Sequence, residues 1–509
     1  MARDNNNHPA AVWPVTPATL LLTLLLGHLT IWTLVPALVN QNLPLDVIEG
    51  LVWGNEWQWG YDKHPPMSAW MMEGVAWLTG RADWGQYLLA QLSITVAFFA
   101  IWSLARELLD EQRAIVAVLL LEGVYFHNFQ SPEFNANVAL LLFWSLTLCF
   151  FWRAYKNDRL LDWILCGLAA AMAVLSKYFA AVLILPLVIF LLVDVAGRRY
   201  FRSANFYVAL LAGSFVLMPH LLWMLANDFI TIQYAMSRGG SGADGSLLDH
   251  VRHPLKFLAV CLAVSLPVVI MFYTLAPGRR ARQDFTSSST LFLWVVLFTP
   301  LLLVLILSAV TGMRLRSMWA YPLFLPLGIF LVSQFTGDIS QWRTSRFLRA
   351  FVLVNVCFVA LYAAIQLYSP LFKEKGKRTH FPGRELALKV QEVWAGETDR
   401  PLRVVGGDPW LAGNAAWYSG LPARPSVSIE LEQRRSPWVD DEDIRREGAM
   451  VLWSLGTVEP PQAGVADEVA RYRERFGAFR VGSPIRITSA AGGRILPEYI
   501  GWGIVPPAE

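Results

Sequence analysis

The chain has 509 residues, 55% hydrophobic and only 16% charged, with a formal net charge of +3. Soluble domains carry roughly 25% charged residues, so this composition excludes an ordinary water-soluble globular protein. No block of Lys and Arg stands out as a nucleic-acid surface.

The apolar residues are segregated into blocks of roughly 16–25 residues, the length that crosses about 30 Å of hydrocarbon. Residues 1–16 are polar and carry only one Lys or Arg, Arg3. No small-residue cleavage site clearly follows the next apolar run, which is therefore expected to be a retained first span and not a removed signal peptide. In chain order the expected spans are 17–39, 84–105, 113–128, 134–153, 160–176, 178–195, 204–226, 256–276, 289–311, 317–336 and 347–369. They predict a polytopic α-helical membrane protein with about eleven transmembrane helices. Cys149, Cys166, Cys261 and Cys357 all fall inside apolar blocks without CxxC or Cys/His spacing, so neither a disulfide framework nor a zinc site is expected.

One alternate set of loops is dense in basic residues: RELLDEQR from Arg106, RAYKNDR from Arg153, GRRYFR from Gly197, PGRRARQD from Pro277 and QWRTSRFLR from Gln341. The other set is longer in total and poorer in Lys and Arg, so the dense set is expected to be cytoplasmic. The N-terminus then lies inside, and the tail beyond Leu371 outside. Two outer loops are long, Gln41–Asp83 and Asn227–Lys256. The second has a GGSGADGS centre (Gly239–Ser246), expected to be a mobile loop over a site. After 371, strand-like runs such as LRVVGGD alternate with polar helical stretches, the pattern of a soluble α/β domain. Two domains are expected: 1–371 in the membrane, and 372–509 soluble and periplasmic.

The first outer loop reads LPLDVIEGLVWGNEWQWGYDKHPPMSAW from Leu43. Asp46 and Glu49 are three apart and share a face if helical. Tyr61, Asp62, Lys63 and His64 follow, pinned by Pro65–Pro66, among Trp53, Trp57, Trp59 and Trp70. Those tryptophans fit either an interfacial aromatic belt or faces that hold sugar rings. The charges fit either a structural salt bridge or a working site, since charge this close to a bilayer is costly. The second outer loop, HNFQSPEFNANV from His127, places Glu133, Asn135 and Asn137 at the start of the fourth span. The third offers Ser176, Lys177 and Tyr178, where the lysine either snorkels to the surface or meets a ligand. The fifth, TGMRLRSMW from Thr311, carries Arg314 and Arg316 against the positive-inside bias, which fits interfacial anchoring or an anionic ligand. Cations at membrane depth suit a lipid-linked phosphate, and carboxylates beside them suit proton abstraction or orientation of an attacking group. There is no GxxxxGK[ST] nucleotide cradle.

Asp46, YDKHPP (Tyr61–Pro66), SPEFNAN (Ser131–Asn137), SKY (Ser176–Tyr178), PHLLWMLAND (Pro219–Asp228) and TGMRLRSMW (Thr311–Trp319) together resemble the GT-C glycosyltransferases. More narrowly, they resemble the bacterial protein-mannosyltransferase and lipid A aminoarabinose-transferase superfamily. The likeness covers the membrane region. It implies a polyprenyl-phosphate-sugar donor, transfer with inversion at the anomeric carbon, and a catalytic Asp in the first outer loop, which Asp46 matches. Glu133 matches the second acidic position. Lys63 and Lys177 match positions that would hold the donor phosphate, and Arg314 and Arg316 match more loosely. The first acidic motif reads D-V-I-E where many relatives have adjacent acidic residues, which sets the role of Glu49 apart.

These observations lead us to expect an inverting glycosyltransferase of the bacterial inner membrane, working on the periplasmic side on lipid A, lipopolysaccharide core, another glycan or a protein hydroxyl. Asp46 and Glu133 are the candidate catalytic groups. Lys63, Lys177, Arg314 and Arg316 are candidate phosphate ligands. Glu49, Tyr61, Asp62, His64, Asn135, Asn137 and Tyr178 are candidate substrate contacts. No cofactor or metal set is expected, with a divalent ion left open, and the expected partners are the lipid-linked donor, a lipid or glycan acceptor, and membrane lipid. The rival reading is a transporter or flippase of lipid-linked sugars, which internal repeats and helices broken at mid-membrane would favour. No internal repeat is visible.

Overall fold

In the computed structural model, which describes residues 15–239, 246–275, 284–335, 343–457, 466–489 and 491–508, Thr16 opens the first helix. Its side chain accepts from the Thr19 amide, and Pro17 supplies the fixed φ suited to a first turn, giving α1 (Pro17–Val39). Two short helices, α2 (Leu45–Gly54) and α3 (Met67–Leu78), then fold within the first long loop. The bundle continues with α4 (Asp83–Leu108), α5 (Glu111–Leu121), α6 (Ala136–Asn157), α7 (Leu160–Ser176), α8 (Ala180–Val193) and α9 (Ala204–Ala226). A further short helix, α10 (Ile230–Gly239), precedes α11 (Asp249–Thr274), α12 (Ser288–Thr311), α13 (Leu327–Ser333) and α14 (Thr344–Phe372). The centre of the glycine-rich stretch, 240–245, lies outside the described residues.

The fold is that of a polytopic helical membrane protein. Among the described residues, seven helices are long and apolar enough to cross a membrane: α1, α4, α6, α9, α11, α12 and α14. Helices α7 and α8 are apolar but shorter. Two expected spans look different. The run at 113–128 forms only the 11-residue α5, because the chain leaves the helix at Glu122–Gly123 and continues to Asn135 through turns and one 3-10 turn at Tyr125–His127. The run at 317–336 is a 3-10 stretch, Ser317–Phe324, followed by the seven-residue α13, and Pro322 and Pro326 keep the two from joining. Helices α7 and α9 approach closely at Gly167, where any side chain would collide with the Ala209 carbonyl.

The non-helical chain from Glu122 to Asn135 is mostly buried in protein, which supplies polar partners that lipid could not. His28 of α1 bridges Glu122 (Nδ1 to Oε1, 2.9 Å) and Gln91 of α4 (Nε2 to Oε1, 3.0 Å). Ser131 donates to the Asn128 carbonyl at 2.7 Å, and Asn128 donates to the Glu122 carbonyl. This loop carries Glu133 and Asn135 up to α6.

Beyond α14 the chain forms a small α/β domain. Its sheet runs β2 (Ser426–Ile429), β1 (Val404–Gly407), β3 (Ala449–Gly456), β6 (Glu498–Val505), β4 (Arg480–Val481), with β5 (Ile485–Ile487) also on β6. Strands β1, β2 and β3 are parallel, and β6 is antiparallel to its neighbours. Helices α15 (Gly383–Glu397), α16 (Pro409–Trp417), α17 (Asp441–Glu447) and α18 (Ala466–Phe476) complete it. Helix α16, capped by Asp408, crosses from β1 to β2 and packs on α2. Gly413 permits that contact, since a Cβ there would meet Ile48 Cγ2 at 2.8 Å and Val52 Cγ2 at 3.0 Å.

Polar clamps reinforce this seam. Asp83 receives Arg384 at 2.7 Å, the Trp417 indole at 3.0 Å and the Tyr418 hydroxyl at 3.1 Å. Arg424, its side chain 3% exposed, donates to Glu73 (2.5 Å), Asn55 (3.0 Å) and the Leu51 carbonyl (3.0 Å). The first long loop is thus sandwiched between the helical bundle and the sheet domain.

Candidate active site

Asp46 lies in the first turn of α2, where the helix dipole favours a carboxylate. Its backbone amide donates to Glu133 Oε1 at 3.2 Å, and its Oδ2 accepts from Asn135 Nδ2 at 3.0 Å. Asn135 also caps α6: its Oδ1 accepts from the Asn137 amide at 2.9 Å and from Asn137 Nδ2 at 3.1 Å. Asn137 Oδ1 in turn accepts from Lys177 Nζ at 2.5 Å, where the break between α7 and α8 frees that lysine from either helix. A continuous polar chain thus runs from Glu133 through Asp46, Asn135 and Asn137 to Lys177.

This chain borders a cavity of about 290 Å³. Asp46, Glu49, Lys63, His64, Asn135, Asn137, Lys177, Tyr178 and Arg316 all line it, so the structure gathers nine of the thirteen candidates at one place. Most of the remaining wall is apolar or aromatic, with Trp53, Met72, Phe179, Leu307 and Trp319 prominent. Lys63 and Glu49 form an ion pair on one side. Arg316 also lines the cavity, its Nε buried and without a partner among the described residues. The Tyr178 hydroxyl lies 2.8 Å from both His220 Nε2 and Thr231 Oγ1, which ties α9 and α10 to the cavity edge.

Four candidates lie elsewhere. Glu133 stands behind Asp46 and supports its backbone without lining the cavity. Tyr61 is fully buried, stacked on Trp53 at 5.5 Å. Asp62 turns to the sheet domain and pairs with Arg435 at 3.0 Å. Arg314 remains exposed outside the cavity, while Arg316, at the entry to the 3-10 stretch, lines it. Tyr234 of α10 was not singled out from sequence, yet it lines the cavity with Lys63 Nζ 5.9 Å from its ring centre. Its only sequence signal is an aromatic residue in the second long loop.

Burial shapes the charges. The Glu133 carboxyl is pushed up by burial and then by the neighbouring Asp46 carboxylate, which favours its neutral form. Burial raises Glu49 to about 7 against the opposing pull of Lys63. Burial lowers Lys177 to about 8, partly offset by attraction to Asp46. An ammonium desolvated in this way gains when an anion arrives, so the cavity favours a negatively charged guest with an apolar body.

Known proteins offer three points of comparison. Residues 63–223 match the family model described as dolichyl-phosphate-mannose-protein mannosyltransferase. Over 487 residues, 91% of this chain and 90% of the relative, the sequence is 24% identical to the lipopolysaccharide core galacturonosyltransferase RgtA of Rhizobium johnstonii. The fold is similar to ArnT from Cupriavidus metallidurans bound to undecaprenyl phosphate, with TM-score 0.61 and 13% identity over 95% of this chain and 97% of that one. For ArnT in the apo state the TM-score is 0.59, over 96% and 98%. The sequence resemblance to the GT-C glycosyltransferases is thus joined by a matching family model over residues 63–223 and by this fold along nearly the whole chain.

Proposed function

We propose that the protein is an inverting glycosyltransferase of the bacterial inner membrane that moves a sugar from a polyprenyl-phosphate donor to a periplasmic glycan acceptor. One observation carries this reading: a largely apolar cavity in which Asp46 is joined through two asparagines to Lys177, and which Arg316 also lines. In this scheme the Asp46 carboxylate takes the proton of an acceptor hydroxyl as its oxygen attacks the anomeric carbon. The bond from that carbon to the phosphate oxygen breaks, and Lys177 and Arg316 receive the charge of the departing polyprenyl phosphate. Glu133, held toward its neutral form, fixes the first turn of α2 and leaves one charge between the two carboxyls. Lys63 starts in its pair with Glu49 and is the third candidate phosphate ligand.

The name of the RgtA relative, which this chain matches over most of its length, favours lipopolysaccharide core over lipid A as the acceptor. Mass spectrometry of core oligosaccharide and lipid A tests this in a deletion strain carrying either the wild-type gene or Asp46→Asn. Loss of one sugar from the core, restored only by wild type, is expected. An unchanged lipopolysaccharide would sink the acceptor assignment. The proposed sidedness is checked by phosphatase fusions, which should be active after Leu371 and silent after Arg202.

A further inference from the structure

A second cavity, of about 340 Å³, opens in the sheet domain where β1, β2 and α17 meet. Arg403, Arg424, Ser426, Trp438, Asp443 and Glu447 line it, so its character is polar where the first cavity is mostly apolar. Four of these groups are held in place. The Trp438 indole donates to the Val427 carbonyl at 3.0 Å, which fixes the plane of its ring. Arg446 holds Asp443 at 2.5 Å and Glu447 at 3.1 Å. Arg424 is anchored to Glu73, yet its buried Nη1 has no partner among the described residues. Arg403 is exposed and has no side-chain partner there.

The two cavities are neighbours. Trp53 lines the first and stacks on Tyr61 with ring centres 5.5 Å apart, and Tyr61 meets Trp438 of the second edge-on at 6.2 Å. Three rings in contact therefore span the wall between them.

We propose that this second cavity binds the saccharide part of the acceptor, beyond the sugar that receives the transfer; the inference rests on the glycosyl-transfer reading above. A sugar ring offers C–H faces that pack on an indole, and adjacent hydroxyls that pair with a guanidinium or carboxylate. A fixed tryptophan flanked by two guanidiniums, two carboxylates and a hydroxyl meets both demands. A lipid tail finds no such match here, and the carboxylates disfavour a bare phosphate.

The test is calorimetric titration of the full-length protein in detergent with core oligosaccharide released by mild acid, for wild type, Arg403→Ala and Trp438→Phe. Undecaprenyl phosphate binding is measured in parallel. Wild type should bind the oligosaccharide, and each variant should bind it about tenfold more weakly while keeping undecaprenyl phosphate affinity. Arg403→Ala guards against misfolding, because that side chain is exposed and makes no side-chain bond among the described residues. Equal oligosaccharide affinity in all three proteins, or no binding by wild type, overturns the second site. If undecaprenyl phosphate binding persists in either case, the glycosyl-transfer reading stands; if wild type binds neither probe, that reading falls too.

Discussion

The amide of Asp46 donates to the carboxyl group of Glu133 across 87 residues of sequence, at 3.2 Å. This bond joins the first turn of α2 to the loop that feeds α6, and it separates the tasks of two acidic residues. Asp46 presents its side chain to the cavity, and Glu133 holds the backbone behind it. Asp46→Asn keeps the shape and the helix turn but removes the proton acceptor. Turnover is expected to fall by about 10²–10⁴, with donor binding little changed and thermal stability retained. Single-turnover rates and donor affinity on one purified variant check this. A stable variant with ordinary turnover would end the catalytic assignment.

Lys177 reaches Asn137 and feels the Asp46 charge, and Arg316 keeps a buried Nε without a partner among the described residues. A charge-assisted bond to phosphate contributes roughly 1.5–3 kcal/mol, so Lys177→Ala and Arg316→Ala should each weaken undecaprenyl phosphate binding about 10- to 100-fold. Arg314→Ala, outside the cavity, should change it by less than about twofold. Equal losses at Arg314 and Arg316 would mean a diffuse surface attraction and no clamp.

Glu49 sets a pH dependence whose sign follows from its burial. Its folded carboxyl titrates near 7, raised from an ordinary value of 4.5, so the folded chain keeps a proton that the unfolded chain has lost. The stability tied to that proton is fully present below the ordinary value and is lost as pH rises through about 7. The decline is roughly 1 kcal/mol per pH unit between those limits. Glu49→Gln should flatten the fall in melting temperature between pH 5 and 7, read by thermal denaturation in detergent without ligand. A wild-type slope persisting in the variant would place the titrating group elsewhere.

The Arg424–Glu73 pair crosses from the sheet domain to α3 with side chains 3% and 15% exposed. Removing one partner of a buried pair typically costs about 3–5 kcal/mol, so Arg424→Ala should lower the melting temperature and loosen the first long loop. Activity should fall with it, because the same arginine also holds the Leu51 carbonyl of α2, five residues from Asp46. Pairing Arg424→Met with Glu73→Met should recover part of the lost stability. A single variant as stable as wild type would show that the seam is held by its apolar contacts alone.

Much of this architecture was legible in the sequence because lipid demands long apolar runs, and α1, α4, α9 and α12 announce themselves by length and hydropathy. The same criterion misread 113–128, since an apolar count cannot see that Glu122 leaves the helix to meet His28, 94 residues earlier. The types of the site residues were legible for a similar reason: charge near a bilayer is expensive and stands out. Their roles were less so. Asp62 stood beside Lys63 as a second charged candidate, and only Arg435, 373 residues away, draws it out of the cavity and into the domain seam. Tyr234 gave no signal beyond its ring, because what recruits it is the placement of α10 beside Lys63.

The sandwiching of the first long loop has a consequence for biogenesis. Glu73 and Arg424 are 351 residues apart, and synthesis proceeds at about 5–20 residues per second, so tens of seconds separate their emergence. During that interval α2 has neither α16 against it nor the arginine that holds its last turn. The nascent chain can enter the bilayer and assemble its bundle while the Asp46 helix still rests only on α3 and the loop that carries Glu133. The packing behind the Asp46 helix is therefore completed last, when the final domain has folded onto the loop.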